Sequence, residues 1–344
     1  MGLLRILHLS DDRPGHYHLA EGVIAAAGRL REVACERRSI RRRRPIPGRF
    51  LRAWAGRPSP SAAAILGLGY GIRAGRLPAA DLVVSAGGET LAANIAAARH
   101  LDAANIFCGS LRGLAPERFS LVVTSYERFA ETPRHIVALK PSAIDPAALN
   151  RPQTVPRFSA ARPPGRVGLL IGGDSGLFKY RDDEWRTLLA FLPALSARWG
   201  MRWLVSTSPR TAPWVADALG ELARDTGVVE DFIDFRSEGP GTLPRLLGRA
   251  DAVLCTEDSS TMISEAVSAR LPVVGVAPEA HAFKPEEADY RRYMMRNDWC
   301  RFLALSELTA ETLGQALDEV RPLAENPLDL LAGRLKERLP ALFG

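Results

Sequence analysis

The feature that most constrains this chain is a repeated alternation of short apolar runs with longer amphipathic stretches. A short apolar run is typical of a buried strand, and an amphipathic stretch is typical of a helix. Strands that alternate with helices predict parallel sheets built from right-handed crossover units. In chain order, the predicted elements are strand Leu3–Leu9, helix Leu19–Leu30, strand Leu82–Ser85, helix Thr90–His100, strands Asn105–Cys108, Leu121–Thr124 and His135–Leu139, then strand Val167–Ile171, helix Asp182–Trp199, strand Arg202–Thr207, helix Pro213–Arg224, strand Gly227–Asp231, helix Leu243–Arg249, strand Ala252–Cys255, helix Ser260–Ala269 and strand Pro272–Val276.

One break divides this alternation. The stretch 150–166 contains four prolines and little periodicity, which is the composition of a linker. A length of 344 residues also favours two domains over one. We therefore predict an α/β fold with two Rossmann-like domains, over residues 1–155 and 166–321, whose parallel sheets face a cleft. A last helix within 322–344, at about Pro327 to Leu339, is expected to pack back on the first domain.

The composition is that of an ordinary globular protein. Hydrophobic residues make up 47% of the chain and charged residues 24%, so each half can bury a core. No apolar run is long enough to span a bilayer, and the N-terminal stretch lacks the features of a signal peptide. The four cysteines are scattered without C-x-x-C spacing, which argues against a structural zinc site or a disulfide framework. These observations favour a cytoplasmic protein.

Eight arginines crowd the stretch Arg37–Arg52, where Ile46, Phe50 and Leu51 interleave them. Such a segment can lie on anionic lipid, where each arginine contributes about 1 kcal/mol near the surface. It can equally be a solvated basic loop in an arginine-rich chain. Nucleic-acid binding is disfavoured because no recognition motif or series of stacking aromatics accompanies the arginines. An anionic membrane surface, with peripheral attachment to the inner membrane, therefore stands beside the solvated loop as an interpretation.

Ligands of such sheets bind at the carboxyl ends of the strands, so the residues after each strand are the candidates for function. After the first strand, Asp11 and His16, in preference to Asp12, can act as a general base toward a hydroxyl. The alternative is a turn with an Asx-type helix cap.

Two further glycine clusters occur in the first half. Gly87 and Gly88 follow a strand, where they suit the close approach of a ligand or of another loop. Glu89 is expected in the first helical turn, either as an acceptor contact or as a stabilising charge. The triplet Gly67, Gly69 and Gly71 follows no convincing strand, so a flexible loop is predicted there.

The second half opens with a glycine loop directly after its first strand, Gly172-Gly173-Asp174-Ser175-Gly176. At a switch from strand to helix, the N–H groups and the helix dipole favour a phosphate. The loop has neither Walker nor G-x-G-x-x-G spacing, which disfavours phosphoryl transfer and a standard NAD site. Lys179 can reach the same phosphate or remain a solvated lysine.

After the next strand comes Ser208-Pro209-Arg210-Thr211. The Arg210 guanidinium can fork onto a phosphate or a carboxylate. Thr211 is predicted to cap the helix that Pro213 begins.

The most specific stretch follows Cys255. It reads Thr256-Glu257-Asp258-Ser259-Ser260-Thr261-Met262-Ile263-Ser264-Glu265-Ala266. Three adjacent hydroxyl residues at a helix start offer donors beside free backbone N–H groups, which suits a diphosphate. Glu265, about a turn and a half further on, can accept hydrogen bonds from ribose hydroxyls. A well-capped helix would need only one of the three hydroxyls.

These motifs together resemble a family of glycosyltransferases related to the plant mitochondrial-fission factor called "elongated mitochondria", and more broadly the glycosyltransferase-B (GT-B) superfamily. The stretches that carry the resemblance are Leu9-Ser10-Asp11 with Pro14-Gly15-His16, Ser85–Thr90, Ile171–Asp174, Ser208–Thr211 and Thr256–Ala266. The resemblance implies a GT-B fold and a nucleotide-sugar donor. The sequence does not identify the acceptor, for which a cell-envelope glycan or lipid is one interpretation. The second domain would hold the donor and the first would supply the acceptor side.

The expected mechanism uses no metal and no cofactor, because no Asp-x-Asp pair stands at a suitable strand end and Asp182-Asp183 opens a helix. The leaving diphosphate would be stabilised by backbone dipoles, hydroxyls and Arg210. Two alternatives remain open. One is a hydrolysing nucleotide-sugar epimerase, and the other is a non-catalytic adaptor that retains the fold.

Overall fold

The computed structural model describes residues 2–59, 61–149, 156–225 and 227–344, with the side chain of residue 225 excepted. The chain divides into two compact units. The first unit comprises Met1–Ala143 together with Pro327–Gly344, and the second comprises Ile144–Asn326. Each unit is built around one parallel six-stranded sheet.

The first sheet has the order β2-β1-β3-β4-β5-β6, with all neighbours parallel. Its strands are β1 (Leu4–Ser10), β2 (Val33–Ser39), β3 (Leu82–Ala86), β4 (Ala104–Cys108), β5 (Leu121–Thr124) and β6 (His135–Val137). The helices of this unit are α1 (Pro14–Gly28), α2 (Gly48–Ala55), α3 (Ala62–Ala64), which continues into a π-helical stretch Ile65–Tyr70, α4 (Leu91–Leu101), and, from the end of the chain, α12 (Pro327–Arg338) and α13 (Pro340–Phe343).

The second sheet has the order β10-β9-β7-β11-β12-β14, again parallel throughout. Its strands are β7 (Arg166–Leu170), β9 (Arg202–Ser206), β10 (Val229–Ile233), β11 (Ala252–Thr256), β12 (Val273–Ala277) and β14 (Cys300–Ala304). A separate antiparallel pair joins β8 (Phe178–Lys179) to β13 (Ala280–His281). The helices are α5 (Asp182–Trp199), α6 (Pro213–Asp225), α7 (Phe235–Glu238), α8 (Leu243–Leu247), α9 (Ser260–Ser268), α10 (Pro285–Arg296) and α11 (Ala310–Glu319).

Strand β1 shows why the first sheet is covered on both faces. Successive side chains of a strand point to opposite faces. Leu4 and Ile6 therefore join one core together with α1 and α12, while Leu7 and Leu9 join another together with α4. Because α12 contributes Leu328, Leu331 and Leu335 to the first of these cores, it packs against α1 within the first unit. Full burial of a leucine contributes about 1.5–3 kcal/mol.

Both sheets contain a topological switch point. In the second unit, the strand order corresponds to 3-2-1-4-5-6, so the connections from β7 and β11 leave to opposite sides. In the first unit, the same divergence occurs between β1 and β3. A crevice is expected at the carboxyl ends of these two strand pairs, which is where the candidate loops lie.

The structure confirms the predicted α/β fold class, and it corrects several elements. Helix α1 begins at Pro14 and not at Leu19, which places His16 in its first turn. The predicted loop around Gly67 and Gly69 is instead the π-helical stretch Ile65–Tyr70. Its Gly69 admits the side chain of Leu51, because a Cβ at Gly69 would lie 2.8 Å from a Leu51 methyl carbon.

Several elements escaped prediction, and the longer ones are β2, α2, α10, β14 and α11. The edge strand β2 is exposed along most of its length, so it lacks an apolar run. Helix α10 buries only Tyr290 and Met294 among many charged residues. In β2 and α10 the apolar pattern is therefore weak, whereas α2 and α11 are amphipathic and were missed in spite of their pattern.

Part of the predicted linker, 150–155, lies outside the described residues. The part that is described, 156–165, contains no helix or strand. Across the described ranges, no helix is long and apolar enough to cross a membrane.

We expect the stability of the protein to depend on pH because of His8, which is buried in the middle of β1. Burial, aided by the charge of Arg37, lowers the pKa of His8 from 6.5 to about 4. The unfolded chain therefore takes up a proton near pH 6.5 that the folded chain refuses, and the free energy of unfolding falls as the pH drops from about 6.5 to about 4. We expect a loss of about 3 kcal/mol over this window, measured by urea unfolding at a series of pH values.

A His8→Leu variant should lose this part of the pH dependence, because leucine does not titrate. The exposed His100 provides the matched control, and His100→Gln should behave like the unmodified protein. An unchanged pH dependence in His8→Leu would contradict the assignment.

Candidate functional site

The loops after β7 and β11 are tied together at the switch point of the second unit. The N–H of Gly172 donates to the hydroxyl of Thr256 over 2.7 Å. A Cβ at Gly172 would collide with the carboxylate of Asp258. Glycine is therefore required here by a close approach between the two loops.

The next glycine makes room for a third loop. A Cβ at Gly173 would collide with the backbone carbonyl of Arg210. The hydroxyl of Thr211 accepts from the N–H of Ser208 over 2.9 Å and donates to the carbonyl oxygens of Ile171 and Gly172 over 3.0 and 2.9 Å. The prediction that Thr211 caps the following helix is wrong, because this hydroxyl fastens the Ser208–Thr211 loop to the end of β7.

Arg210 is held by a buried carboxylate. Its Nε and Nη2 both donate to Oδ2 of Asp258, over 3.2 and 2.5 Å. The Asp258 side chain is fully buried, whereas the Arg210 side chain is 38% exposed. Asp258 therefore fixes the Arg210 guanidinium at the surface. The remaining nitrogen, Nη1, donates no hydrogen bond to the described residues.

Tyr180 completes this arrangement by donating to Oδ1 of Asp258 over 3.2 Å. Burial, followed by the charge of Asp258, raises the pKa of Tyr180 far above its usual range. The phenol therefore stays protonated and remains a donor at neutral pH. Both oxygens of the buried carboxylate are satisfied, as burial of a charge requires.

The Gly172–Ser175 loop does not begin a helix, which corrects the prediction of a helix dipole at this point. Ser175 and Phe178 exchange backbone hydrogen bonds in a tight turn, with Gly176 in the left-handed region. Helix α5 starts later, at Asp182, and its first turn carries three acidic residues. Such a helix start repels an anion. Any anion at this loop would rely on its backbone N–H groups alone.

Two residues at this turn neutralise each other. The Asp174 carboxylate accepts from the N–H of Tyr180 and from Nζ of Lys179, each over 3.0 Å. The hydrogen bond from Tyr180 is the main cause that lowers the pKa of Asp174, with Lys179 contributing. Asp174 therefore closes the turn, and Lys179 is a solvated lysine with an acidic partner.

The N-terminus of helix α9 is the most favourable anion-binding position in the second unit. Ser259 precedes its first turn and accepts from the N–H of Met262. Ser260 and Thr261 lie in the first turn and are partly exposed, and this turn contains no acidic residue. Free N–H groups and a helix dipole at such a terminus favour a phosphate.

Three predicted ligand contacts are buried. Thr256 is fully buried, so its hydroxyl supports Gly172 and does not reach a ligand. Glu257 forms an ion pair with Arg291, and burial raises the pKa of Glu257 even though this arginine lowers it. Glu265 is 7% exposed, on the second turn of α9.

A cavity of about 310 Å³ adjoins this helix start within the second unit. Ser175, Asp258 and Ser260 line one side of it, and α10 and the segment before it line the other. Arg291 lies between two aromatic rings, 4.0 Å from the centroid of Phe283 and 4.0 Å from that of Phe302. The sequence analysis missed this wall because α10 and β14 were not predicted.

The first unit carries a separate pair of candidate residues at its own switch point. His16 Nδ1 and Asp11 Oδ2 lie 2.7 Å apart, with the Asp11 side chain 6% and the His16 side chain 30% exposed. Burial raises the pKa of Asp11, but the hydrogen bond and charge of His16 outweigh it, and the pKa lies below its ordinary value. Asp11 is thus ionised at neutral pH and orients the imidazole.

The two glycines after β3 leave room for side chains from other loops, among them His16. Gly87 has a φ of +87°, and a Cβ there would collide with the His16 ring. A Cβ at Gly88 would collide with the guanidinium of Arg112. Glu89 lies before α4 and not in its first turn. Its carboxylate forms an ion pair with Arg42, with 2.7 Å between Oε2 and Nε.

Asp12 is used structurally, since it accepts from the Ser39 hydroxyl over 2.7 Å. No group of three or more His, Cys, Asp or Glu side chains is placed to hold a metal ion among the residues that the structure describes.

The close approach at Gly173 gives a direct test of the loop geometry. Gly173→Ala forces the Arg210 backbone to move, and we expect a loss of about 2 kcal/mol in the free energy of unfolding. Gly75→Ala is the matched control, because no atom lies within 4 Å of a Cβ at that position. Equal stabilities of the two variants, measured by chemical denaturation, would exclude the described approach.

Among solved structures, the chain resembles MurG from Acinetobacter baumannii, with a TM-score of 0.51 and 13% identity over 97% of this chain and 99% of that one. It also resembles the UDP-GlcNAc 2-epimerase of Methanocaldococcus jannaschii in complex with UDP-GlcNAc and UDP, with a TM-score of 0.53 and 12% identity over 99% of this chain and 100% of that one. MnaA of S. aureus, in a structure with UDP, gives a TM-score of 0.53 and 9% identity over 99% and 97%. At these identities the likenesses show the fold alone, which is the GT-B fold.

No curated protein matches the chain in sequence. The family model described as "Mitochondrial fission ELM1" matches residues 14–331. This match spans both units and includes His16 of α1 and the loops after β3, β7, β9 and β11, while the loop after β1, with Asp11, lies before the matched range. The chain therefore belongs to the Mitochondrial fission ELM1 family.

Proposed function

We propose that this protein is a glycosyltransferase that moves a sugar from a nucleotide-sugar donor to an acceptor hydroxyl of a glycan or lipid. One observation carries the proposal. In the second unit, one cavity is lined by Ser175 of the Gly172–Ser175 loop, by Asp258, which holds the Arg210 guanidinium, and by Ser260 of the hydroxyl-rich start of α9. Convergent donors beside a pocket are the chemistry that holds a diphosphate attached to organic rings.

In this proposal the diphosphate rests on the first turn of α9. Ser259, Ser260 and Thr261 supply hydroxyl donors beside the N–H groups, and Arg210 supplies a charge-assisted donor. Asp258 neutralises part of the Arg210 charge, so oriented dipoles carry most of the stabilisation. Such preorganised dipoles gain strength as charge grows on the leaving diphosphate. The proposed reaction needs no metal ion.

The cavity accommodates one ring of the donor. Its volume of about 310 Å³ is at the lower end of the range of small-molecule pockets. Glu265, on the second turn of α9, is 7% exposed and does not line this cavity, so its predicted contact with the ribose gains no support from the cavity.

His16 is proposed as the general base. Its imidazole removes the proton of the acceptor hydroxyl, whose oxygen forms a bond to the anomeric carbon of the sugar. The bond from the anomeric carbon to the diphosphate oxygen breaks, and the electron pair leaves with the diphosphate. Asp11 orients the imidazole and stabilises the imidazolium that forms.

A second candidate is a non-catalytic adaptor that binds a nucleotide but does not turn it over. The family description, which names mitochondrial fission and no reaction, favours it. Product analysis separates the candidates. Transfer of the sugar supports the glycosyltransferase, an inverted sugar formed from the donor alone indicates a hydrolysing epimerase, and tight binding without turnover indicates the adaptor.

If the second unit holds the donor, it should bind a nucleoside diphosphate. Calorimetry without added metal should detect a nucleoside diphosphate, with UDP as the first probe. Ser260→Ala combined with Arg210→Ala should weaken this binding about 100-fold, since a hydrogen bond to a charged group contributes about 1.5–3 kcal/mol and a neutral one about 1 kcal/mol. Unchanged binding would exclude the assignment of the site.

Two further variants serve as controls for the binding measurement. Arg210→Lys keeps a charge beside the buried Asp258 but loses the fork, so it should show an intermediate loss. Arg202→Ala, at the opposite end of β9, should bind like the unmodified protein.

If His16 is the general base, its replacement should slow turnover without weakening donor binding. His16→Gln and Asp11→Asn should each lower kcat by at least about 100-fold, because a positioned base contributes about 100- to 10,000-fold. The Kd for the nucleoside diphosphate should not change. His18→Gln, two residues along α1, is the matched control and should retain full turnover. The role of His16 is refuted if both histidine variants lose activity equally.

A further inference from the structure

The excess of positive over negative charge in the chain comes from one stretch, residues 37–80, which we call the arginine segment. It contains eleven arginines and no aspartate, glutamate or lysine. The whole chain has a net charge of +6, so the remaining 300 residues carry a net charge of −5. The segment is therefore a strongly basic region on an otherwise acidic protein.

The arginine segment is folded against the first unit. Helix α2 and the π-helical stretch Ile65–Tyr70 pack on each other and on α4. The N–H of Arg43 donates to the carbonyl of Gly69 over 2.8 Å, and Leu51 fills the space beside this glycine. Their inner faces are buried in the core of the first unit. The outer faces of α2 and of the π-helical stretch are consequently fixed in position, whereas Arg41–Arg44 lie in the connection between β2 and α2.

Large hydrophobic side chains stand on this outer surface. Phe50 of α2 and Leu68 of the π-helical stretch are each 57% exposed. The guanidinium of Arg49 lies 5.2 Å from the centroid of the Phe50 ring. Exposed apolar side chains surrounded by cations mark a surface that meets a partner with both apolar and anionic parts.

The charges on this surface are not neutralised from within. Arg37 and Arg42 have carboxylate partners in Asp12 and Glu89. A second set of exposed arginines forms no ion pair with any carboxylate in the described part of the chain. This set comprises Arg41, Arg43, Arg44, Arg49 and Arg73.

We propose that the outer face of α2 and the π-helical stretch, together with the arginines of the adjoining connections, docks on an anionic lipid bilayer. The unpaired arginines bind headgroup phosphates, and Phe50 and Leu68 enter the boundary between headgroups and acyl chains. A nucleic acid would match the charge but offers no apolar phase to Phe50 and Leu68. This inference does not depend on the proposed sugar transfer.

Sedimentation with vesicles tests the proposal on the full chain. The protein should bind vesicles of equal parts phosphatidylcholine and phosphatidylglycerol, and should not bind pure phosphatidylcholine. Arg41→Glu, Arg43→Glu and Arg44→Glu combined should lower the partition coefficient by at least about 100-fold, because each arginine near the surface contributes roughly five-fold. Phe50→Ser with Leu68→Ser should lower it about ten-fold or more, since apolar burial is lost.

Two controls separate charge at this face from charge in general. Arg157→Glu, Arg162→Glu and Arg202→Glu combined make the same change in net charge on exposed residues of the second unit, and this variant should still bind. Replacement of Arg41, Arg43 and Arg44 by lysine keeps the charge and should also retain binding. Circular dichroism melts of every variant establish that each is folded.

Three results would overturn the proposal. The first is equal loss of binding in the two glutamate triples, because the effect would then be one of net charge. The second is vesicle binding that Phe50→Ser with Leu68→Ser does not alter. The third is tighter binding to duplex DNA than to the anionic vesicles, which would assign the face to a nucleic acid.

Discussion

Everything at the candidate sites depends on one constraint of parallel sheets. Where two neighbouring strands send their connections to opposite sides, no connection covers their carboxyl ends, and a crevice remains. The crevice lies between β7 and β11 in the second unit and between β1 and β3 in the first. The chain fills each crevice partly with its own loops, and glycines at Gly87 and Gly173 let those loops approach. The part of each crevice that stays open is bounded by these close contacts between loops.

The sequence predicted the fold where buried apolar runs carried the signal. Strand Leu121–Thr124 and helix Asp182–Trp199 have the predicted bounds, because the strand is buried throughout and the helix has a clear amphipathic pattern. Exposed elements were missed. In β2, most side chains face solvent, and a polar edge strand cannot be distinguished from a loop by composition alone.

At the candidate sites, the sequence indicated the loops but not their partners. Glycines after strands were expected to admit a ligand, whereas His16, Asp258 and the Arg210 backbone occupy those approaches. The pairing of Arg210 with Asp258 joins loops from different strands, and only the sheet order brings them together. The same holds for Arg291 between its two aromatic rings. Contacts of this kind depend on tertiary structure and leave no local pattern in the sequence.

The return of α12 to the first unit has a consequence for how the chain emerges from the ribosome. The second unit is one continuous stretch, Ile144–Asn326, and its sheet can close as soon as that stretch has been synthesised. The first unit has all six strands by then, but one face of its sheet still lacks Leu331, Leu335 and Phe343. Its apolar surface stays uncovered until Pro327–Gly344 has been made. The unit that is translated first is thus the one completed last, and during synthesis it is the part most exposed to aggregation and most in need of a chaperone.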